Sequence, residues 1–369
     1  MSDFRNLLWP GVPLALTSAL LFGASTPFAK LLLGSVDPWL LAGLLYLGAG
    51  IGLWMARRLT HVLDFSVSEA PLCRADLPWL AGVILVGGVL GPLLLMLGLT
   101  RMDASGAALL LNLEGLATMA LAWIVFRENV DRRLLTGALA ILAGAALLAW
   151  NGGVTPGLGA VLVAGACLAW GIDNNLTRKL SSADPMQIAM IKGLAAGSVN
   201  LALALGRGQA DVPATDVMAL AGLVGFFGYG LSLALFVMAL RHLGTARTCA
   251  YFSLAPFIGA VLAIAVLGDA VTPQLLAAGA LMAFGLYLHL TERHRHEHVH
   301  DELKHEHRHV HDEHHRHDHE PDISATEPHT HQHRHSRLVH RHAHYPDLHH
   351  RHRHGSGGDG RADESPRAS

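Results

Sequence analysis

Long apolar runs alternate with short polar segments over the first 290 residues of the chain. Each run is close to the roughly 20 residues that an α-helix needs to cross the hydrocarbon core of a bilayer. The separators are turn or charge signals such as Asp37-Pro38 and Arg57-Arg58, and they are short enough to make neighbouring helices antiparallel. The pattern predicts ten transmembrane helices, over residues 11–33, 38–56, 77–100, 104–126, 133–150, 157–177, 186–206, 214–240, 245–267 and 274–290.

The ten predicted helices divide into two similar sets of five. Residues 22–38 run from Phe-Gly to Asp-Pro, and residues 170–185 repeat that order from Trp-Gly to Asp-Pro. Residues 101–128 and 241–269 form a second similar pair. Because five is odd, the second set must start on the opposite side of the membrane from the first. Such an inverted repeat is a hallmark of secondary transporters, whose substrate site lies between the two halves.

Basic residues predict the orientation of these helices. If the N-terminus is cytoplasmic, most Lys and Arg residues fall in cytoplasmic segments, among them Arg57, Arg58, Arg127, Arg132 and Arg133. The cytoplasmic loops of membrane proteins carry such an excess of positive charge. We therefore expect a multi-pass protein of the cell (inner) membrane with both termini in the cytoplasm.

Composition supports the membrane assignment. Hydrophobic residues make up 51% of the chain and charged residues 15%, against roughly 25% charged residues in an ordinary globular protein. The three cysteines are far apart and form no Cys-x-x-Cys motif, which argues against a disulfide framework or a structural zinc site. No HExxH, GxSxG or phosphate-loop motif indicates an enzyme.

We predict an all-α integral membrane protein with ten transmembrane helices as two inverted five-helix repeats, followed by a disordered tail. The first repeat is expected over residues 1–150, the second over 151–291, and the tail over 292–369. Glycine runs from Gly87 to Gly91 in the third helix and from Gly222 to Gly230 in the eighth would loosen two matched helices. Interrupted helices in matched positions indicate a binding site, although small residues also simply permit close helix packing.

The chain resembles the EamA-type branch of the drug/metabolite transporter superfamily over residues 10–291. Members have ten spans in two five-helix repeats, and each repeat typically begins with an aromatic-Gly run that ends in a basic residue. Residues 22–30, from Phe-Gly to Lys, and residues 170–178, from Trp-Gly to Arg, look like that run.

The fourth span of each repeat carries the second part of the resemblance. In the family this span typically has a proline element and then an apolar run that ends in Gly-Glu. Residues 113–128 and 254–269 look similar, with Gly115 in place of the usual proline and Asp269 in place of the usual glutamate. The resemblance implies a transporter, but family members carry very different small molecules, so it implies no particular substrate.

Polar residues within the predicted helices are candidates for the substrate site, because a charge in mid-membrane needs a partner, water or a function. Glu114, beside Asn112 in the fourth helix, is either a substrate or proton-coupling carboxylate or a structural hydrogen-bonding group. Asp173 and Lys192 lie at similar depths in helices six and seven, so they either form an ion pair or extend to the interface. The candidate substrate or coupling residues are Glu114, Asn112, Asp173, Asn174, Lys192, Tyr229 and Tyr251.

The C-terminal tail is rich in histidine. All but three of the 26 histidines lie between His294 and His354, mostly as His-x-His. The segment has too few apolar residues to form a core, and closely spaced neutral imidazoles suit Zn, Ni, Co or Cu. No cofactor is otherwise expected. The predicted metal ligands are His294, His296, His298, His300, His305, His307, His309, His311, His314, His315, His317 and His319.

Three functions remain open at this point. The first is a secondary transporter, expected to be an exporter, of a small metabolite or related solute, with a metal-binding cytoplasmic tail. The second is a divalent metal (Zn, Ni or Co) transporter that the tail regulates, and the third is a membrane metal sensor or intramembrane enzyme without transport. The expected partners are the lipid bilayer and a small-molecule or ion substrate, without nucleic acid; a homodimer is left open.

Overall fold

The structure is a computed structural model. It describes residues 11–62, 72–126, 132–150, 152, 156–180, 184–208, 211–243, 245–290, 295–300, 303–309, 329–335 and 338–343. The described residues before residue 295 form helices and short connections, which we number as ten spans in chain order. The continuous spans are span 1, Gly11–Leu32; span 2, Pro38–Val62; span 5, Arg132–Ala149; span 6, Leu158–Thr177; span 7, Pro185–Gly206; and span 10, Pro273–Leu290.

The other four spans are interrupted, and they occur in matched pairs. Span 3 consists of Leu77–Gly82, a π-helical segment Val83–Leu90, and Gly91–Leu99. Span 8 has the same order in Thr215–Gly225, a π-helical segment Phe226–Leu231, and Ser232–Leu243. Span 4 consists of Ala104–Leu110 and Asn112–Phe126, and span 9 of Thr245–Phe252 and Ala255–Leu267. The irregularities of the first half therefore recur in the second.

The all-helical membrane body predicted from the sequence is confirmed. Among the described residues, eight helical segments are long and apolar enough to cross a membrane. The remaining two are span 5, which is shorter, and span 6, in which Asp173, Asn174 and Asn175 reduce the apolar content. Span 2 continues to Val62, past its predicted end at residue 56. The two arginines do not end the helix, because Arg57 pairs with Asp184 and Arg58 lies over the Trp54 ring.

Each half of the bundle packs its first helix against the other half. Span 1 contacts spans 8 and 9, and span 6 contacts spans 3 and 4. Span 2 lies along span 7, and span 5 lies along span 10. Every one of these contacts has a counterpart with the two halves exchanged, as expected for inverted repeats related by a pseudo-two-fold axis.

Glycines bring spans 2 and 7 into backbone contact with each other. A methyl group on Gly193 would lie 2.7 Å from the Gly50 nitrogen, and one on Gly43 would lie 2.8 Å from the Leu201 nitrogen. Small residues permit this approach, which membrane helices use because lipid provides no hydrophobic force between them.

Matching ion pairs close both ends of this helix pair. Asp184, which caps span 7, accepts hydrogen bonds from two backbone amides and pairs with Arg57 of span 2 at 2.5 Å. Asp37 likewise accepts hydrogen bonds from two backbone amides at the start of span 2. Its Oδ1 lies 3.9 Å from Nη1 of Arg207 at the end of span 7. The Arg207 guanidinium also lies over the Trp39 ring, 4.6 Å from its centroid. The Asp-Pro element of each repeat thus joins its own helix to the helix of the other repeat.

The glycine of each aromatic-Gly motif has a packing role. Gly23 of span 1 lies against the backbone of Ala255 and Gly259 in span 9. Gly171 of span 6 lies against span 4, where an added methyl group would be 2.7 Å from the Ala117 side chain and 2.9 Å from the Thr118 nitrogen. Each repeat therefore needs glycine at this position to let its first helix reach the fourth span of the other repeat.

Four short strands occur in the tail, which was predicted to be disordered throughout. They are β1, Arg295–His300; β2, Leu303–His309; β3, His329–His335; and β4, Leu338–Ala343. β1 pairs with β4 and β2 with β3, both antiparallel. His294, His311, His314, His315, His317 and His319 lie outside the described residues, and the other six predicted ligands lie in β1 and β2.

The span 2–span 7 contact makes a stability prediction. Gly193→Ala should lower the free energy of unfolding by about 1–3 kcal/mol, because the added methyl group overlaps the span 2 backbone. Gly206→Ala, in the same helix, should have little effect, because nothing lies within 4 Å of the added group. Thermal unfolding of the two variants in detergent checks this. Equal melting temperatures for both would show that the contact is not tight.

Candidate functional site

A buried ion pair joins spans 6 and 7. Lys192 Nζ donates to Asp173 Oδ2, and their side chains are 17% and 7% exposed. Asp173 Oδ1 also accepts from Thr177 Oγ1 at 3.4 Å. The structure therefore forms the ion pair that was one of the two predicted alternatives. A charge in this environment needs its partner, because removing one member leaves the other uncompensated.

Glu114 meets the same helix from span 4. Asn174 Nδ2 donates to Glu114 Oε1 at 3.0 Å and to Thr118 Oγ1 at 3.1 Å. Thr118 in turn donates to the Glu114 carbonyl at 2.9 Å, and Asn175 Nδ2 donates to the Thr118 carbonyl at 3.1 Å. Glu114 is also close enough to Asp173 and Lys192 for their charges to interact. We call Glu114, Thr118, Asp173, Asn174 and Lys192 the polar cluster.

The π-helical segment of span 3 forms one wall of this region. Gly87 lies directly against the Asp173 carboxylate, in a space that any larger side chain would fill. Its carbonyl accepts from Trp170 Nε1 at 3.0 Å and from the Tyr46 hydroxyl at 3.1 Å. π-Helical segments occur often at functional sites, because their irregular hydrogen bonding leaves backbone groups free for other donors. Span 3 therefore ties spans 2 and 6 together beside the ion pair.

Sequence reasoning did not identify Tyr46, Trp170 or Thr118 as part of this region. Trp170 was interpreted only as the start of a repeat motif, and Tyr46 is surrounded by apolar residues. The glycine run at residues 87–91 was the available signal, since it predicted an interrupted helix whose backbone needs donors from its neighbours.

The remaining predicted residues do not join the polar cluster. Asn112 is buried and donates to the Leu109 carbonyl at 2.8 Å, with Met282 Sδ of span 10 at 3.9 Å. Tyr251 is half-buried in the first part of span 9 and, among the described residues, is not hydrogen-bonded to the cluster. Tyr229 is closer, because its ring packs against Tyr46 with the centroids 5.6 Å apart.

Tyr229 belongs to an aromatic chain that crosses the interface between the halves. Its ring lies edge-on to Phe22 with the centroids 6.0 Å apart, and Phe22 packs against Phe252 at 5.3 Å. Phe252 continues the chain to Phe236 at 4.8 Å. These contacts link spans 1, 2, 8 and 9. Tyr229 therefore connects Tyr46, which lies beside the polar cluster, with the aromatic side chains of spans 1 and 9.

The polar cluster opens on the inner side of the helices. Asn174 follows Cys167 by seven residues and Val163 by eleven, so all three lie on one face of span 6. Asn174 is exposed. Cys167 and Val163 are fully buried, whereas Leu168 on another face is 50% exposed. Gly115, next to Glu114, is also exposed and has open space where a side chain would point. Asn174 therefore lies on the face of span 6 that is otherwise buried in the bundle, and Gly115 leaves open space next to Glu114.

The fold and the cluster together define a class of protein. Ten helical spans in two inverted repeats, with interrupted helices in matched places and ionisable groups inside the bundle, are the features of a membrane transporter. The chain belongs to the EamA-like transporter family, whose sequence profile matches residues 9–150 and 157–291. The match to two successive segments confirms the resemblance and the transporter prediction that were based on sequence motifs, and it supports a transport protein rather than an enzyme.

Two known proteins are similar to this chain. An uncharacterized transporter of Methanothermobacter thermautotrophicus is 29% identical over 299 residues, which is 77% of this chain and 87% of that protein. A solved structure described only as "Crystal structure of protein" aligns with a TM-score of 0.56 at 18% identity, over 75% of this chain and 95% of that one. This second likeness concerns the fold alone.

The ion pair makes a prediction about charge reversal. Asp173→Lys or Lys192→Asp alone should destabilise the protein by about 3–5 kcal/mol, because each leaves two buried like charges without compensation. The double reversal should recover most of that loss, since it restores the pair. Melting temperatures and solute flux of the three variants check this. The matched control is Asp216→Lys at the exposed start of span 8, which should melt like the wild type.

A double variant as unstable as the single variants would show that Asp173 and Lys192 do not act as a pair. Recovery of stability without recovery of flux would separate a structural ion pair from one that takes part in transport.

Proposed function

We propose that the protein is a secondary active transporter that moves a small metabolite or related solute by alternating access, with export as the expected direction. The polar cluster is the observation that carries the proposal. It lies where spans 4 and 6, from opposite halves, meet the π-helical segment of span 3. In carriers with inverted repeats, solute sites lie at such an interface, near interrupted helices.

The exchanged packing of the halves supports alternating access. Span 1 packs against spans 8 and 9, and span 6 packs against spans 3 and 4. Because these contacts are equivalent, each half could adopt the packing arrangement that the other half has in this structure. Two packings related by the pseudo-two-fold axis would open the site to opposite sides of the membrane.

The distribution of basic residues supports a location in the cell (inner) membrane with both termini in the cytoplasm. In that orientation span 6 ends on the cytoplasmic side and span 7 begins there. Asp173 and Lys192 then lie in the cytoplasmic half of the membrane, with Glu114 nearer its centre. A site at this depth would receive solute from the cytoplasm, in agreement with export.

Divalent metal transport is the second candidate function, and the tail favours it. In the β2–β3 pair, His305, His307 and His309 stand opposite His333, His331 and His329. Neighbouring positions of this kind suit chelation of Zn, Ni, Co or Cu. Against metal as the transported solute, the described residues of the ten spans contain no group of three or more His, Cys, Asp or Glu side chains that could hold an ion. The proposal of metal binding by the tail rests on its histidine content and not on an assembled site.

Transport is tested by solute flux into proteoliposomes. The wild-type chain should carry at least one small metabolite, and Glu114→Gln should reduce that flux roughly tenfold or more, because a hydrogen bond to a charged group contributes about 1.5–3 kcal/mol. Asp216→Asn removes an exposed carboxylate at the start of span 8 and should leave flux unchanged. Absence of flux for every metabolite, amino acid and metal tried would count against the proposal.

Metal binding by the tail is tested by titrating Zn²⁺ or Ni²⁺ into the full chain and into a variant that ends at residue 291. The full chain should bind several ions and the truncated one should lose most of that capacity, because nearly all histidines lie beyond residue 291. Metabolite flux should survive the truncation. Zinc or nickel flux that depends on the tail would instead favour the metal transporter, and equal binding by both chains would exclude a metal-binding tail.

A further inference from the structure

The polar cluster contains more negative than positive groups. Glu114 and Asp173 contribute two carboxylates, and Lys192 contributes one ammonium. Lys192 Nζ is directed at Asp173, whereas the hydrogen-bond donor to the Glu114 side chain is the neutral amide of Asn174. With both carboxylates ionised, the described residues of the cluster carry one more negative than positive charge, and the direct contact of Lys192 is with Asp173 and not with Glu114.

Glu114 also has unused hydrogen-bonding capacity. An ionised carboxylate offers about four lone-pair positions, and Asn174 Nδ2 occupies one of them. Thr118 Oγ1 directs its proton to the Glu114 backbone carbonyl and accepts from Asn174. The side-chain oxygens of Glu114 therefore have room for further donors.

Space is available for the group that would bring those donors. Gly115 has nothing within 4 Å of the position where a side chain would start, and Asn174 is exposed on the otherwise buried face of span 6. Within a bilayer a polar group that is open on one side borders water or solute, because lipid contact would be costly. Gly115 and Asn174 therefore leave room beside Glu114 for a small solute.

We propose that the polar cluster selects a small organic monocation, in the form of a protonated amine that binds Glu114. The inference rests on the proposed function, since it takes the cluster to be the solute site. A protonated primary amine brings three N–H donors and one positive charge, which match the free acceptors and the charge of Glu114.

The same contacts disfavour other solute classes. An organic anion would meet the uncompensated carboxylate, and Lys192 could attract the anion only by leaving Asp173 buried without its partner. A divalent cation would find only two carboxylates in the polar cluster, and the described residues contain no group of three or more His, Cys, Asp or Glu side chains that could hold an ion. Neutral solutes could hydrogen-bond here but would leave the charge of Glu114 uncompensated.

The test compares solutes that have one carbon skeleton and different charges. The full chain is titrated with phenethylamine, 2-phenylethanol and 3-phenylpropionate, and in a second set with n-butylamine, 1-butanol and butyrate. Binding is read from the melting temperature in detergent, and transport from counterflow in proteoliposomes. In at least one set the amine should bind at least tenfold more tightly than its neutral and anionic counterparts.

Variants connect any binding to the cluster. Glu114→Gln should weaken amine binding by tenfold or more, Glu114→Asp should keep most of it, and Asp216→Asn should keep all of it. If no amine binds, if the anion binds as tightly as the amine, or if Glu114→Gln binds the amine like the wild type, the inference is wrong.

Two outcomes separate this inference from the proposed function. Amine binding that depends on Glu114 without any counterflow would support the site and contradict transport of amines. Counterflow of a metabolite that is insensitive to amines would support transport and contradict the amine assignment.

Discussion

The backbone contact between spans 2 and 7 is the constraint on which the rest of the bundle depends. Lipid offers no hydrophobic force between helices, so the contact relies on close packing, which Gly50 and Gly193 permit at the centre. Asp184 and Asp37 fix the register of the two helices at opposite ends, because each caps one helix and pairs with an arginine of the other. Spans 3 and 8 then pack beside this pair with their π-helical segments in matched places.

Burial of charge explains why the polar cluster is confined to one set of contacts. By the repeat alignment, Ser25 corresponds to Asp173, Leu45 to Lys192, and Ala255 to Glu114. Gly228 lies against Ser25 just as Gly87 lies against Asp173, so the backbone arrangement is repeated without its charges. A buried charge needs a partner and a hydroxyl needs only a hydrogen bond. The scaffold is therefore symmetric, whereas the chemistry of the site is not.

Hydropathy and repeat motifs were sufficient to predict the helical body, because span length and inverted order depend on local residue patterns. The Asp173–Lys192 pair was accessible as one of two alternatives, since both residues lie a similar distance from a short connection. The hydrogen bond between Asn174 and Glu114 could not be predicted from the sequence, because it depends on how span 4 packs against span 6. Asn112 shows the same limit: it neighbours Glu114 in sequence, yet the helix turns it towards Met282.

A symmetric scaffold with one charged site constrains how the protein can select its solute. If the two halves exchange packings, the charges at Glu114, Asp173 and Lys192 stay on spans 4, 6 and 7, and no equivalent set replaces them in the other half. On the proposed function, one site would then serve both sides of the membrane. The histidine tail follows span 10 and lies outside the ten spans. If the polar cluster is the solute site, as we propose, selection of the transported solute depends on the contacts among spans 3, 4, 6 and 7.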